Sequence, residues 1–137
     1  MRENIFVDTS AWLALANTND KWHQKARQIR QNLIEQDCKF WVSEYVIVEI
    51  GNSLSRISFR QIATNLIDSI IASKEIKLIH INYALFNESW HLYKERHDKE
   101  WSLTDCTSLK IMTKYRIKTA FTNDHHFEQA GFQILLK

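Results

Sequence analysis

The chain has 137 residues, of which 45% are apolar and 25% are charged, and its formal net charge is +2. This composition is typical of a soluble globular protein, and no apolar run reaches the roughly 20 residues that cross a bilayer. The charge is too small to indicate nucleic-acid binding by itself. Cys38 and Cys106 lie far apart without C-x-x-C spacing, which predicts two free thiols rather than a disulfide or a zinc site.

The N-terminal third alternates between strand and helix patterns. The apolar run IFVD (5–8) predicts a buried strand, and SAWLALA after it predicts a short helix. Asp20 is the expected N-cap of a second helix over residues 21–36, whose apolar side chains recur at helical spacing. KFWVS (39–43) predicts a second strand.

The middle of the chain continues the alternation. Ser43 is placed to cap a helix over residues 44–56 that is apolar almost all round, so we expect it to be largely buried. Another helix is predicted over 59–73. The β-branched run IKLIHI (76–81) predicts a third strand, and a long helix is predicted over 83–99.

The last third begins with a helix-start pattern. A helix is predicted over 102–115. Ser102 and Asp105 have the spacing of a capping box at its start, with Asp105 in the position usually held by Glu. KTAFTND (118–124) predicts the fourth strand and its end. The helical turn HHFEQA is closed by Gly131, and FQILL (132–136) predicts a fifth strand.

Strands that are separated by helices require right-handed crossovers, which produce parallel pairing. We therefore expect an α/β fold, a three-layer α/β/α sandwich with a central, mostly parallel five-stranded sheet. No linker, repeat or low-complexity tract divides residues 4–136, so a single domain over 1–137 is expected. In such sheets, functional side chains gather at the carboxyl ends of the strands.

Four acidic residues occupy unusual positions. Asp8 and Asp124 end the first and fourth strands, and Glu49 is enclosed in the apolar segment VIVEIG, where a lone carboxylate is costly to bury. Asp105 lies in a first helical turn. Each acid can also be explained singly. Asp105 could stabilise the start of a helix, Asp124 could be an N-cap, and Asp8 could accept hydrogen bonds from backbone amides. Glu49 has no such capping role, because it lies in the middle of a helix. One shared site accounts for all four.

Carboxylates that converge in one crevice repel each other unless a cation lies among them. Oxygen ligands without an organised Cys or His set favour Mg²⁺ or Mn²⁺. Such an ion can polarise a phosphoryl oxygen and activate a water molecule, which predicts hydrolysis of phosphodiester bonds.

Four segments, in this order, resemble the PIN-domain ribonucleases: VDTSAWLAL, EYVIVEIGNSL, WSLTDCTSLKIM and AFTNDHHFEQAGF. The resemblance covers roughly residues 5–135. It implies a catalytic and metal-binding set with two hydroxyl neighbours. The acids are Asp8, Glu49, Asp105 and Asp124, and the hydroxyl residues are Ser10 and Thr122.

The small size of the chain makes it similar to the VapC-type toxins of bacterial toxin–antitoxin pairs. That resemblance implies a cytoplasmic endoribonuclease that depends on Mg²⁺ (or Mn²⁺) and cleaves RNA. It also implies a homodimer and an antitoxin protein that occupies the acidic groove. The chain lacks the long apolar segment of a secretory signal, which agrees with a cytoplasmic location.

Two alternatives to a nuclease stay open. The first is a non-catalytic PIN-fold module that binds a protein. The second is an acidic-pocket phosphotransfer domain, either a receiver or an aspartyl phosphatase. The phosphatases have D-x-D after the first strand, and Ser10 stands in the second position here.

Three further features have two interpretations each. His126 is expected to pack into the fold rather than bind metal with His125, because adjacent side chains point in different directions. A basic segment could hold RNA phosphates or form a solvated helix face; it comprises Lys110, Lys114, Arg116 and Lys118. Three or four of the five tryptophans should be buried, and any exposed one could mark a dimer or partner surface.

Overall fold

The computed structural model describes residues 2–137, and its centre is a five-stranded sheet. The strands are β1 (Asn4–Val7), β2 (Lys39–Ser43), β3 (Ile76–Ile79), β4 (Thr119–Phe121) and β5 (Gln133–Ile134). They lie in the order β3-β2-β1-β4-β5, and every neighbouring pair is parallel. The predicted parallel sheet is confirmed.

Seven helices connect the strands. They are α1 (Thr9–Ala16), α2 (His23–Glu35), α3 (Glu44–Ser53), α4 (Ile57–Ala72), α5 (Tyr83–Glu95), α6 (Leu103–Lys114) and α7 (His125–Gln129). The chain moves outward from β1 to β3 and then returns to β4 on the other side of β1. Right-handed crossovers therefore place α1–α4 on one face of the sheet and α5–α7 on the other. The reversal of strand order falls between β1 and β4, where a binding crevice is expected.

The central strand β1 is buried because apolar helices cover both of its faces. Ile5, Phe6 and Val7 are at most 1% exposed. Val7 is paired with Phe121, so β1 and β4 end at the same level of the sheet. The backbone N–H of Asp8 donates to the carbonyl of Phe121 over 3.0 Å, which extends the pairing by one residue.

The predicted helix-start and helix-end signals are present at three places. The Ser43 hydroxyl accepts a hydrogen bond from the Val46 N–H. Ser102 and Asp105 form a reciprocal capping box at the start of α6. Gly131 follows α7 with a φ of +95°, a conformation that residues with a Cβ rarely adopt.

Two helix predictions were wrong in detail. Helix α3 ends at Ser53 rather than at residue 56, and Val48 on its outer side is 56% exposed, so the helix buries one stripe rather than its whole surface. Asp20 does not cap α2, which begins at His23. Its carboxylate accepts from the Trp22 N–H over 2.8 Å and forms a turn that precedes the helix.

Several elements are shorter than predicted. Strand β3 ends at residue 79 rather than 81, and α5 ends at 95 rather than 99. Strand β5 covers only 133–134, although the Leu136 N–H still donates to the Thr122 carbonyl. Apolar content predicted the presence of these segments better than their ends, because the ends depend on pairing and capping partners elsewhere in the chain.

The remaining composition-based predictions agree with the structure. Both cysteines are free and buried. Three tryptophans are buried, and Trp90 is 39% exposed; the buried ones are Trp12, Trp41 and Trp101. Within residues 2–137, no helix has the length and apolar character needed to cross a membrane.

Candidate active site

A crevice of about 610 Å³ lies at the carboxyl edge of the sheet, where β1 and β4 adjoin. Acidic side chains reach it from four separate parts of the chain. Asp8 follows β1, Glu49 lies on α3, Asp105 lies in the first turn of α6, and Asp124 precedes α7. The structure therefore places all four acids that the sequence singled out along one crevice.

Asp8 is the most deeply buried of these acids, at 6% exposure. Its pKa is raised to about 7, mainly because burial disfavours the charged form and to a smaller extent because of the neighbouring charges of Asp105 and Glu49. Two hydrogen bonds lower this pKa. One comes from the Thr122 hydroxyl, which lies 2.8 Å from Asp8 Oδ2, and the other comes from the Thr9 backbone. Apart from this contact with the first residue of α1, the Asp8 side chain makes no hydrogen bond that caps the helix.

Thr122 and Ser10, the two predicted hydroxyl neighbours, join the ends of β1 and β4. Thr122 Oγ1 donates to Asp8 and accepts from the Asp124 N–H over 3.1 Å. Ser10 Oγ lies 3.0 Å from Thr122 Oγ1 and accepts from the Asn123 N–H over 3.1 Å. Because the Thr122 hydrogen is directed at Asp8, the Ser10 hydroxyl is left to donate to Thr122. This chain of hydroxyls fixes the position of the Asp8 carboxylate.

Glu49 is half-buried, which corrects the expectation that apolar neighbours enclose it. The exposed Val48 beside it shows that this side of α3 faces outward. The Thr9 hydroxyl donates to Glu49 Oε1 over 2.5 Å. The sequence did not indicate that Thr9 is the partner of Glu49, because the two residues lie in distant segments of the chain.

The side chains of Asp105 and Asp124 each accept a hydrogen bond at the start of a helix and also line the crevice. Asp105 Oδ2 accepts from the Ser102 N–H over 3.0 Å in the capping box. Asp124 Oδ1 caps α7 by accepting from the His126 N–H over 2.9 Å. The capping explanation and the site explanation are therefore compatible for both residues.

His126 does not pack into the fold as expected. Its side chain is 30% exposed, and Nδ1 lies 2.8 Å from Asp105 Oδ2 and 3.3 Å from Asp124 Oδ1. The next residue, Phe127, is the one that is fully buried. Because α7 is so short and is capped by Asp124, it directs the His126 ring across the crevice edge.

Three groups in the crevice are close enough to hold one metal ion. Donor atoms of Asp105, Asp124 and His126 all lie within 4.8 Å of one another. Asp8 and Glu49 line the same crevice but do not belong to this tighter group. The sequence analysis did not place His126 among the metal-binding residues, because it expected this ring to pack into the fold.

The basic segment lies mostly away from the crevice. Helix α6 starts at the crevice and leads away from it, so Lys114 is about 14 Å from Asp105 along the helix axis at 1.5 Å per residue. Lys118 precedes β4 and therefore lies at the opposite edge of the sheet. A solvated surface explains these residues, and Lys110 is the one that follows Asp105 most closely along α6.

Comparison with known proteins gives consistent matches over nearly the whole chain. The PIN domain family model matches residues 5–133. A curated relative, the 23S rRNA-specific endonuclease VapC20 of Mycobacterium tuberculosis, is 30% identical over 128 residues, which are 93% of this chain and 95% of the relative. The crystal structure of that protein, described as a Sarcin-Ricin loop cleaving toxin, has a TM-score of 0.84 at 29% identity and the same coverage.

Two more distant structures share the fold. VapBC2 from Rickettsia felis, bound to a DNA fragment from its promoter, has a TM-score of 0.69 at 12% identity and covers 96% of this chain and 97% of that chain. FitAcB from Neisseria gonorrhoeae has a TM-score of 0.65 at 16% identity and covers 96% of both chains.

Proposed function

This chain belongs to the PIN domain family, and on that premise we propose that it is a metal-dependent endoribonuclease, the toxin of a toxin–antitoxin pair. The observation that carries the proposal is the convergence of four carboxylates from distant segments on one crevice. The 30% identical relative from M. tuberculosis is named as an endonuclease specific for 23S rRNA, and it aligns over almost the whole chain. Ribosomal RNA is therefore the first substrate to test.

The donor set fits a hard divalent cation. Asp8, Glu49, Asp105 and Asp124 supply carboxylate oxygens, which favour Mg²⁺ or Mn²⁺. The pKa of Asp8 is raised to about 7, mainly by burial and in smaller part by the charges of Asp105 and Glu49, so a cation bound beside it would favour its ionised form. When bound there, such an ion supplies Lewis acidity toward a phosphate and activates water at neutral pH.

The residues of the chain hold the acids in place for this chemistry. The Thr122 hydroxyl fixes one oxygen of Asp8, and the Thr9 hydroxyl fixes one oxygen of Glu49. In the hydrolysis, a water oxygen forms the new bond to phosphorus and the bond to the leaving ribose oxygen breaks. No side chain is needed as a covalent nucleophile, and the carboxylates can accept the proton that the water loses.

The same proposal includes partners and location. We propose that the protein acts in the cytoplasm as a homodimer and that an antitoxin covers the acidic crevice. Exposed apolar side chains outside the crevice provide surface for such contacts. They include Val48, Ile57, Ile71 and Tyr83. The likeness in fold to VapBC2 and FitAcB is consistent with this view.

The decisive test is cleavage by the purified protein of a sarcin–ricin loop oligonucleotide and of an unstructured RNA. Cleavage is expected with Mg²⁺ or Mn²⁺ and not with chelator, and Asp8→Asn should abolish it. Asp68→Asn is the matched control, because Asp68 is an exposed acid on α4 outside the crevice. Equal cleavage by wild type and Asp8→Asn would mean that another nuclease, or another site, is responsible.

The toxin role is tested separately in cells. Induced expression in a bacterium should arrest growth, and Glu49→Gln should relieve the arrest at the same protein level. An arrest that is identical for wild type and Glu49→Gln would contradict a role for the crevice.

A further inference from the structure

The contacts of His126 single it out among the crevice residues. Its Nδ1 atom lies between two carboxylates, 2.8 Å from Asp105 Oδ2 and 3.3 Å from Asp124 Oδ1. Asp105 and Asp124 come from different helices, α6 and α7. Within residues 2–137, no backbone hydrogen bond joins these two helix starts, and the His126 ring links them through its side chain. Trp101 adds a second link by donating to Gln129 at the end of α7.

The chemistry of the contact determines its direction. The form of Asp105 that binds a cation is the ionised carboxylate, which offers only acceptors, so in that form Nδ1 carries the hydrogen of this contact. A nitrogen that carries this hydrogen has no lone pair left for a metal. Donation by Nδ1 and metal ligation by Nδ1 therefore exclude each other.

The oxygens that Nδ1 contacts already accept backbone hydrogen bonds. Asp105 Oδ2 accepts from the Ser102 N–H, and Asp124 Oδ1 accepts from the His126 N–H. Within residues 2–137, no hydrogen bond reaches the other oxygen of either carboxylate. Each acid is thus held by one oxygen, and its second oxygen is free to face the crevice.

From this geometry we propose that His126 is a positioning residue that bridges Asp105 and Asp124: its ring Nδ1–H holds Asp105, its backbone N–H holds Asp124, and the second oxygen of each acid is left free for the metal. The inference rests on the proposed function, because it assigns a role beside the metal of that same site. The bridge also offsets the repulsion between two neighbouring carboxylates. It differs from direct ligation, although the His126 ring is close enough for that as well.

Three substitutions separate the two roles. His126→Asn keeps a nitrogen donor at the same distance from Cβ as Nδ1 but cannot supply an imidazole lone pair. His126→Gln moves its donor one bond further out, and His126→Leu has none. His125→Asn is the matched control, because the His125 ring contacts Glu128 instead of the acids.

Titration of Mn²⁺ into each variant, followed by calorimetry, gives the first readout. His126→Gln and His126→Leu should weaken binding by about tenfold or more, which is the usual effect of removing a group that orients metal ligands. His126→Asn should stay within about twofold of wild type, and His125→Asn should bind like wild type. If His126→Asn is as weak as His126→Leu, or if His126→Leu binds like wild type, the bridge is wrong.

The second readout needs no metal. In a long-range ¹H–¹⁵N spectrum of the metal-free wild type at mildly alkaline pH, where an ordinary imidazole is neutral, Nδ1 of His126 should carry the hydrogen. A ring protonated only at Nε2 would overturn the bridge, even if the Leu variant failed to fold. If Nδ1 carries the hydrogen but wild type binds no Mn²⁺, the proposed metal-dependent function fails and the bridge stands.

Discussion

Replacing Asp8 with asparagine is expected to stabilise the metal-free protein at neutral pH, although it removes the proposed activity. Burial raises the pKa of Asp8 from 3.8 to about 7 in the folded chain. The unfolded chain exposes this carboxyl to water, so its pKa there is ordinary. Between these two values the folded state binds more protons than the unfolded state, and the free energy of unfolding falls as the pH rises.

The size of the effect follows from the two pKa values. The difference is 7 minus 3.8, or about 3 units, and at 1.36 kcal/mol per unit the ionised Asp8 costs about 4 kcal/mol at pH 7 and above. Asparagine keeps an oxygen for the Thr122 hydroxyl but adds a buried N–H₂ group, which costs about 1 to 2 kcal/mol. The net gain is about 2 to 3 kcal/mol, or about 6 to 9 °C in melting temperature for a chain of this size.

The assay is thermal unfolding with chelator present, followed by circular dichroism or calorimetry at about pH 8 and about pH 4. Asp8→Asn should melt above wild type at the higher pH. The advantage should disappear at the lower pH, where the folded state of wild type carries a proton on Asp8. Asp68→Asn, the exposed control, should follow wild type at both. An Asp8→Asn protein that melts below wild type at both pH values would refute the claim that burial of this charge destabilises the fold.

Three other substitutions test the surrounding contacts by urea unfolding. Thr122→Val removes the donor to Asp8 and the acceptor for the Asp124 N–H, so it should lower the free energy of unfolding by about 2 kcal/mol; an unchanged midpoint would show that the hydroxyl chain is unimportant. Ser102→Ala removes half of the α6 capping box and should cost about 1 kcal/mol. Gly131→Ala meets no neighbouring atom but must adopt a φ of +95°, so it should cost about 1 kcal/mol through the backbone alone; a neutral result would mean that the turn relaxes.

The order of strands and helices could be predicted because each element has its own local pattern of apolar spacing and capping residues. Once β1 and β4 are both strands followed by helices, they must run parallel, and Asp8 and Asp124 must emerge at the same edge of the sheet. The capping box around Asp105 was equally visible, since Ser102 and Asp105 satisfy each other within one turn.

Contacts between distant segments could not be predicted in the same way. The bond from Thr9 to Glu49 joins α1 to α3, and the ring of His126 reaches across from α7 to α6. Side-chain direction in a five-residue helix depends on its cap, and for this reason the expectation that the His126 ring packs into the fold was wrong. The exposure of Val48 likewise depends on what packs against α3, which apolar content alone does not specify.

The acids also show why a capping role and a site role need not compete. A carboxylate has two oxygens, and the fold holds at least one oxygen of each of the four acids. Asp8 is held by the Thr122 hydroxyl. Asp105 is held by the Ser102 N–H, Asp124 by the His126 N–H and Glu49 by the Thr9 hydroxyl. A carboxylate fixed at one oxygen loses little further freedom when the second binds a ligand, so the capping bonds prepare these acids for a cation. The same structural bonds that would explain each acid singly are therefore what makes the crevice a preorganised site.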